Sequence, residues 1–244
     1  MTRKLLWPLT SLYCQNCRLP NLEAIVFDKD GTLADASRFL EKLAWLRVQR
    51  CLEAVQLQFG SVTADLGELL LVSFGVNSVG LDPDGLMAVG TGQANQQAAV
   101  AAFVQAGYPA DPVSELVSAA FAEAATALKP KAAFTPPFAG TVAVLSKLAV
   151  SSLRVGVLSS DSSVHLEEFL TYYRLQPWID GWQGTDGDDP AKPDPTLLYR
   201  LCERLKVRVA NTVVIGDSWA DLQWLKTPVL LALSPYRETG DGHP

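Results

Sequence analysis

The chain has 244 residues, of which 48% are hydrophobic and 19% charged, and its net charge at neutral pH is −6. That length accommodates one large domain or a core with a smaller companion, and the acidic balance argues against sequence-independent nucleic-acid binding, which needs a basic surface. No apolar run reaches the roughly 18 residues of a membrane span, since the longest candidate, Val142 to Leu158, is broken by Lys147 and Arg154.

Met1 to Trp7 faintly imitates a secretory signal, but Pro8 breaks its apolar stretch and no small-residue cleavage site follows. The expectation is mature sequence in a cytoplasmic protein. Residues 1–20 lack clear periodicity and read as an N-terminal lead-in. Cys14 and Cys17 form a CxxC there, whereas Cys51 and Cys202 stand alone. A structural zinc site takes four ligands, and the only histidines, His165 and His243, are distant, so reduced and incidental thiols are expected.

Glu23 to Phe27 is a short apolar, β-branched run of the kind that forms a buried strand. Asp28 and Asp30 follow where it runs out, which in an open α/β sheet is the address of an active site. Alternation in extended backbone puts Asp28 and Asp30 on one side and Lys29 elsewhere, and Gly31 permits a sharp turn. Taken alone, the stretch also reads as a turn with Asx hydrogen bonds.

Asp35 or Ser37 is available to cap a long amphipathic helix from Arg38 to about Phe59, with Phe39, Leu43, Leu46, Val48, Leu52 and Val55 at helical spacing. Further helices are expected at 64–74, 84–89, 93–106 and 112–128, separated by glycine-containing breaks. Residues 36–133 are therefore read as a helical domain inserted after the first strand. Thr91 to Asn95 reads as a polar helix start or as a substrate-reading loop. Residues 134–140 are a stiff, proline-containing connector.

Strand and helix then alternate. Helices are expected at 142–149, 163–173, 196–205 and 221–225, and strands at 154–158, 179–183, 212–215 and 229–233. This implies an α/β fold, a parallel-stranded core built from 21–35 and 134–235, with a C-terminal tail at 236–244.

Each expected strand ends in a polar cluster: Asp28 and Asp30, then Ser159-Ser160-Asp161, and Gly216-Asp217 through Asp221, with Lys192 in the loop before a helix. These parts suit phosphoryl transfer. An Asp can attack phosphorus to give an aspartyl-phosphate; a second can protonate the leaving alkoxide and then deprotonate water. Clustered carboxylates call for a hard cation such as Mg²⁺, and a lysine with a hydroxyl can hold the equatorial oxygens. Asp161 and Ser162 read as caps for the next helix, Ser160 as either an amide donor to phosphate or part of a helix turn, and Trp219 as a packing residue more readily than a wall of the site.

In family order these motifs resemble the haloacid dehalogenase superfamily: Asp28-Lys29-Asp30-Gly31-Thr32 for DxDGT, Ser159 for the hydroxyl motif, Lys192-Pro193 for the lysine motif, and Gly216-Asp217 through Asp221 for GDxxxD. The resemblance spans about Leu22 to Leu233. It implies a Rossmann-like three-layer core with an α-helical type 1 cap, as in phosphoglycolate phosphatase-like members. It further implies Asp28 as nucleophile, Asp30 as general acid/base, Ser159 and Lys192 as phosphoryl ligands with Ser160 beside them, and Mg²⁺ on Asp28, Asp30 and Asp217 with Asp221 near. Asp30 favours phosphoryl chemistry over dehalogenation, which does not need it. Lys42, the one lysine well inside the cap, reads as a solvated face residue and not as the Schiff-base lysine of phosphonate-cleaving relatives. The implied partner is a small phosphorylated metabolite, with no nucleic acid and no membrane; a homodimer is left open. A phosphosugar mutase, or a silent binding protein on the same fold, stands as the alternative to a phosphatase.

Overall fold

The computed structural model describes residues 10–14 and 17–218. Ala36–Thr135 forms one compact unit, and the described residues on either side form another.

The first described element is a hairpin, β1 (Thr10–Cys14) antiparallel to β2 (Cys17–Leu22), in a segment whose sequence shows no clear periodicity. Leu12 faces Leu19 across it, an apolar cross-strand pair. The register slips between Thr10 and Leu12, opposite Pro20, which has no N–H to give the ladder. Strand β3 (Ala24–Phe27) follows, buried at all four positions.

The second unit is helical. α1 (Ser37–Phe59) buries Phe39, Leu43, Val48, Cys51 and Val55 and stops at Gly60, whose φ of +81° ends the helix in the left-handed region. Its N-cap residue is Ala36, with no side-chain cap bond, so neither Asp35 nor Ser37 takes the expected capping place. α2 (Leu66–Phe74) is followed by two short strands, β4 (Val76–Asn77) and β5 (Gly80–Leu81), a ladder not expected in the helical region. Val76, 1% exposed, anchors it to the unit's core. Then come α3 (Leu86–Val89), α4 (Gly92–Gln105) and α5 (Ala110–Ala127).

Thr91 caps α4 by accepting from the Ala94 amide at 3.1 Å, and buried Asn95 donates to the carbonyls of Leu86 and Thr91, so this stretch serves as a helix start. Phe74 meets Phe121 edge-on at 6.1 Å between centroids, and Phe103 is fully buried beside them in the same core. Each such side chain contributes about 1.5–3 kcal/mol by leaving water. Lys42 is exposed, its ammonium 4.8 Å from the Phe134 ring centroid, in keeping with a solvated face.

After a short 3₁₀ turn at Lys131–Phe134 the pattern becomes α6 (Thr141–Ala149), β6 (Arg154–Leu158), α7 (Ser163–Tyr172), β7 (Gly181–Gln183), α8 (Thr196–Leu205) and β8 (Thr212–Ile215). The strands form one parallel sheet in the order β7-β6-β3-β8. Val26, Leu158 and Val214 pack against Leu197, Leu198, Leu201 and Leu205 of α8. Alternation turns Val155 and Val157 to the other face, where both are fully buried. Leu145 of α6 and Leu166 and Leu170 of α7 are fully buried too, and α6 packs against β6 and α7 against β7, which makes the three-layer α/β arrangement expected of the sequence.

The helix expected at 221–225 and the strand at 229–233 lie outside the described residues, as do Asp221, Trp219, His243 and the tail. No described helix is long and apolar enough to cross a membrane.

Candidate active site

Central β3 delivers the first carboxylate. The Asp28 amide continues the ladder by donating to the Ile215 carbonyl at 2.8 Å, and Asp28 itself is only 7% exposed. The chain then turns about the Lys29 carbonyl, which accepts from the amides of Thr32, Leu33 and Ala34 at 3.3, 2.9 and 2.9 Å. Gly31, at φ +84°, makes this turn possible. The returning segment fixes the loop from outside: the Asp35 amide donates to the Pro136 carbonyl at 2.8 Å, and the Thr141 hydroxyl donates to the Leu33 carbonyl at 2.7 Å.

The neighbouring strands add the rest. β6 ends at Leu158, and Ser159, 2% exposed, is tied to β7 by its amide, which donates to the Gln183 carbonyl at 3.0 Å. The Ser159 carbonyl accepts from the Thr185 hydroxyl at 3.1 Å, and its Oγ accepts from the Asp161 amide at 3.1 Å. Ser160 is exposed beside it. On the other side of β3, β8 ends at Ile215 and Asp217 follows, its Oδ1 accepting from the Thr32 hydroxyl at 3.4 Å.

Lys192 comes from the loop before α8. Its ammonium donates to Asp28 Oδ1 and, at 3.2 Å, to the Leu158 carbonyl. The Lys192 side chain is 6% exposed, so a charged group taken this far from water is held by pairing. Asp28, Asp30, Ser159, Lys192 and Asp217 thus gather at the carboxyl ends of β3, β6 and β8; Asp221 falls outside the described residues.

Lys29 departs from the expectation that it points away. Its side chain is 1% exposed, and its ammonium pairs with Asp30 Oδ1 and, at 2.8 Å, with Asp161 Oδ2. It also lies 5.3 Å from the centroid of the Phe169 ring. Alternation fixes the direction of the Cα–Cβ bond, but a four-carbon stem can bend its charge to any nearby carboxylate. Burial by itself would push the Lys29 ammonium down; Asp30 and Asp161 outweigh it, and the net direction is up. Ser162 caps α7 by accepting from the His165 amide at 3.3 Å, while Asp161, one residue ahead of the cap, pairs with Lys29. An ammonium within a buried carboxylate motif is itself the sequence signal for such a pair, and the alternation rule hides it.

Among the described residues no cluster of three or more His, Cys, Asp or Glu side chains is arranged to hold a metal. Two carboxylates and a backbone carbonyl make a different set, and Asp28, the Asp30 carbonyl and Asp217 are all oxygen donors. Such a set suits a hard cation that keeps several waters.

A family model for haloacid dehalogenase-like hydrolases matches residues 22–227. Among solved structures the chain is similar to a predicted phosphoglycolate phosphatase from Haemophilus somnus 129PT, with a TM-score of 0.54 and 19% identity over 82% of this chain and 79% of that one. It is also similar to a Thermotoga maritima protein provisionally named β-phosphoglucomutase, with a TM-score of 0.51 and 18% identity over 88% and 95% of the two chains. A subfamily IA, variant 1 hydrolase from Geobacter sulfurreducens PCA gives a TM-score of 0.50 and 17% identity over 82% and 80%. At these identities the likeness is one of fold. No curated protein matches the chain significantly. The family match runs over most of the sequence and takes in every strand end just described; the chain belongs to the haloacid dehalogenase-like hydrolases.

Proposed function

We propose that the protein is a Mg²⁺-dependent phosphatase of small phosphorylated metabolites, working through an aspartyl-phosphate on Asp28. The observation that carries this reading is the Lys192 ammonium on Asp28 Oδ1, with Asp30 two residues further along the same turn. A lysine so placed lies where the charge of a phosphoryl group seated on Asp28 would need it.

An Asp28 oxygen attacks phosphorus as the ester oxygen leaves, and Asp30 gives that oxygen its proton. Asp30, now a carboxylate, takes a proton from water as the water oxygen attacks the phosphoryl group and the bond from Asp28 to phosphorus breaks, which releases inorganic phosphate and restores the Asp28 carboxylate. The Ser159 hydroxyl and the Lys192 ammonium hold equatorial oxygens through both steps, with Ser160 offering its backbone amide. Mg²⁺ held by Asp28, the Asp30 carbonyl and Asp217, with Asp221 in support, would supply the positive charge that lets carboxylates and a phosphate share one site. In this reading the Ala36–Thr135 unit is a cap that excludes bulk water.

The test is phosphate release from p-nitrophenyl phosphate with and without Mg²⁺, for the parent and for Asp28→Asn. Metal-dependent release lost in the variant supports the proposal. An isomerised sugar phosphate without free phosphate would replace it with a mutase, and no turnover across a broad phosphoester panel would replace it with a silent binding protein.

A further inference from the structure

Resting on the phosphatase reading, we infer that Lys29 is a positioning residue: its ammonium holds Asp30 Oδ1 and Asp161 Oδ2 together, whether Asp30 is ionised or carries its proton on Oδ2, and so aligns this acid/base with the phosphoryl-binding hydroxyl of Ser159. The contacts form one unbroken chain. The Lys29 ammonium pairs with Asp30 Oδ1 and with Asp161 Oδ2, the latter at 2.8 Å. The Asp161 amide donates to Ser159 Oγ at 3.1 Å. Because a hydroxyl has a single proton to donate, an incoming N–H on Ser159 Oγ leaves that proton for another acceptor, which is the use a phosphoryl ligand makes of it.

The setting makes the clamp stiff. At 1% exposure, with the Phe169 ring 5.3 Å away, the ammonium has no water-filled alternative to its two carboxylates, and a buried charge stays with its partners. Phe169, 1% exposed on α7, belongs to the same helix whose first turn follows Asp161. Asp30 on the β3 side is thereby referenced to the β6 side of the site. Strand pairing places Asp28, and the Lys29 contact holds the Asp30 side chain beyond the end of the strand.

The consequence separates two kinds of ester. An aliphatic alkoxide leaves poorly without a proton, whereas p-nitrophenolate needs little help. A misaligned Asp30 therefore slows the first far more than the second, while a general loss of structure slows both alike. Asp28→Asn, Lys29→Met and Asp161→Asn are each compared with the parent on p-nitrophenyl phosphate and on the aliphatic phosphomonoester that the parent hydrolyses fastest from a panel. For Lys29→Met, kcat on the aliphatic ester is expected to fall on the order of 10²-fold, the usual effect of a small misplacement, with KM little changed and a several-fold smaller loss on p-nitrophenyl phosphate. Asp161→Asn leaves the Lys29–Asp30 pair in place and should show the same selectivity in weaker form; it carries the test if Lys29→Met does not fold. Equal losses on both esters, or none, overturn the clamp while leaving the phosphatase reading intact. A parent without Asp28-dependent turnover overturns both, and a parent active only on p-nitrophenyl phosphate overturns Asp30 as an aligned acid, and the clamp with it.

Discussion

Gly31 and the carboxylate of Asp217 are so close that a β-carbon on Gly31 would lie 1.9 Å from Asp217 Oδ2. One residue belongs to the turn after β3 and the other to the end of β8, so the bare backbone of Gly31 is what lets the two motifs share one edge. Gly31→Ala would strain a φ of +84° and displace Asp217 together. The strain costs about 1–2 kcal/mol, a fall of about 2–4 °C in melting midpoint per kcal/mol for a chain of this size. Gly107, at φ +94° with open space where a β-carbon would project, isolates the strain. Gly107→Ala should lose similar stability and keep its turnover, while Gly31→Ala should also lose turnover on the order of 10²-fold. Equal turnover in the two variants would mean that Asp217 tolerates displacement.

Lys192 reaches Asp28 from outside the strand ladder, from the loop that leads into α8. Lys192→Met keeps the bulk and removes the charge. If that charge stabilises a phosphoryl group on Asp28, kcat on p-nitrophenyl phosphate falls by about 10²–10³-fold, as when one preorganised donor is lost. Steady-state kinetics with thermal melts tests this; unchanged kcat with lowered stability would make the pair structural.

The sheet and the long helices were legible because their signals are local. Buried strands such as Ala24–Phe27 are uninterrupted apolar runs, and the apolar positions of α1 repeat at helical spacing. The hairpin was not, because Pro20 and Asn21 interrupt β2 and its apolar cross-strand pair joins Leu12 to Leu19 with no periodic pattern around either. Asp28, Asp30, Ser159, Lys192 and Asp217 were legible as strand-end and loop residues, a position set by topology. The Lys29–Asp161 pair was not, since it depends on where the stem of a lysine bends toward a residue far along the sequence. Asp161 looks like a helix cap to any local rule.

The Glu23 carboxylate accepts from the Arg208 backbone amide at 2.8 Å, from its guanidinium at 2.8 and 2.6 Å and from Asn211 at 3.0 Å. Burial pulls this carboxyl upward, but the Arg208 and Asn211 bonds outweigh it and hold it below its usual range. A carboxyl lowered by folding stabilises the native state above its unfolded pKa, about 4.3, and that gain disappears as pH falls through the lower folded value. Glu23→Gln should therefore cost about 1 kcal/mol at pH 7, a figure discounted for the solvent around Arg208. The gap between parent and variant should narrow as pH falls below that unfolded value and close once pH has passed the lower folded one. Urea titrations across this range decide it, and a gap that persists at low pH would assign the effect to packing.

Cys51 and Cys202 are each 1% exposed, one in the helical unit and one under the sheet. Burial pushes the Cys51 thiol up to about 12, only partly opposed by Arg47. Burial also raises Cys202, against a weaker pull from the Thr212 hydroxyl 3.7 Å from its sulfur. At pH 8 a thiol with a pKa near 12 is a thiolate about 10⁻⁴ of the time, and the thiolate is the reactive form. Native protein treated with iodoacetamide should therefore leave both cysteines unmodified by peptide mass spectrometry, and both should react in urea. Because they sit in different units, the urea concentration at which each becomes reactive reads the opening of its own unit. Modification of Cys51 in native protein would show that the helical core admits solvent and reagent on the time of the reaction.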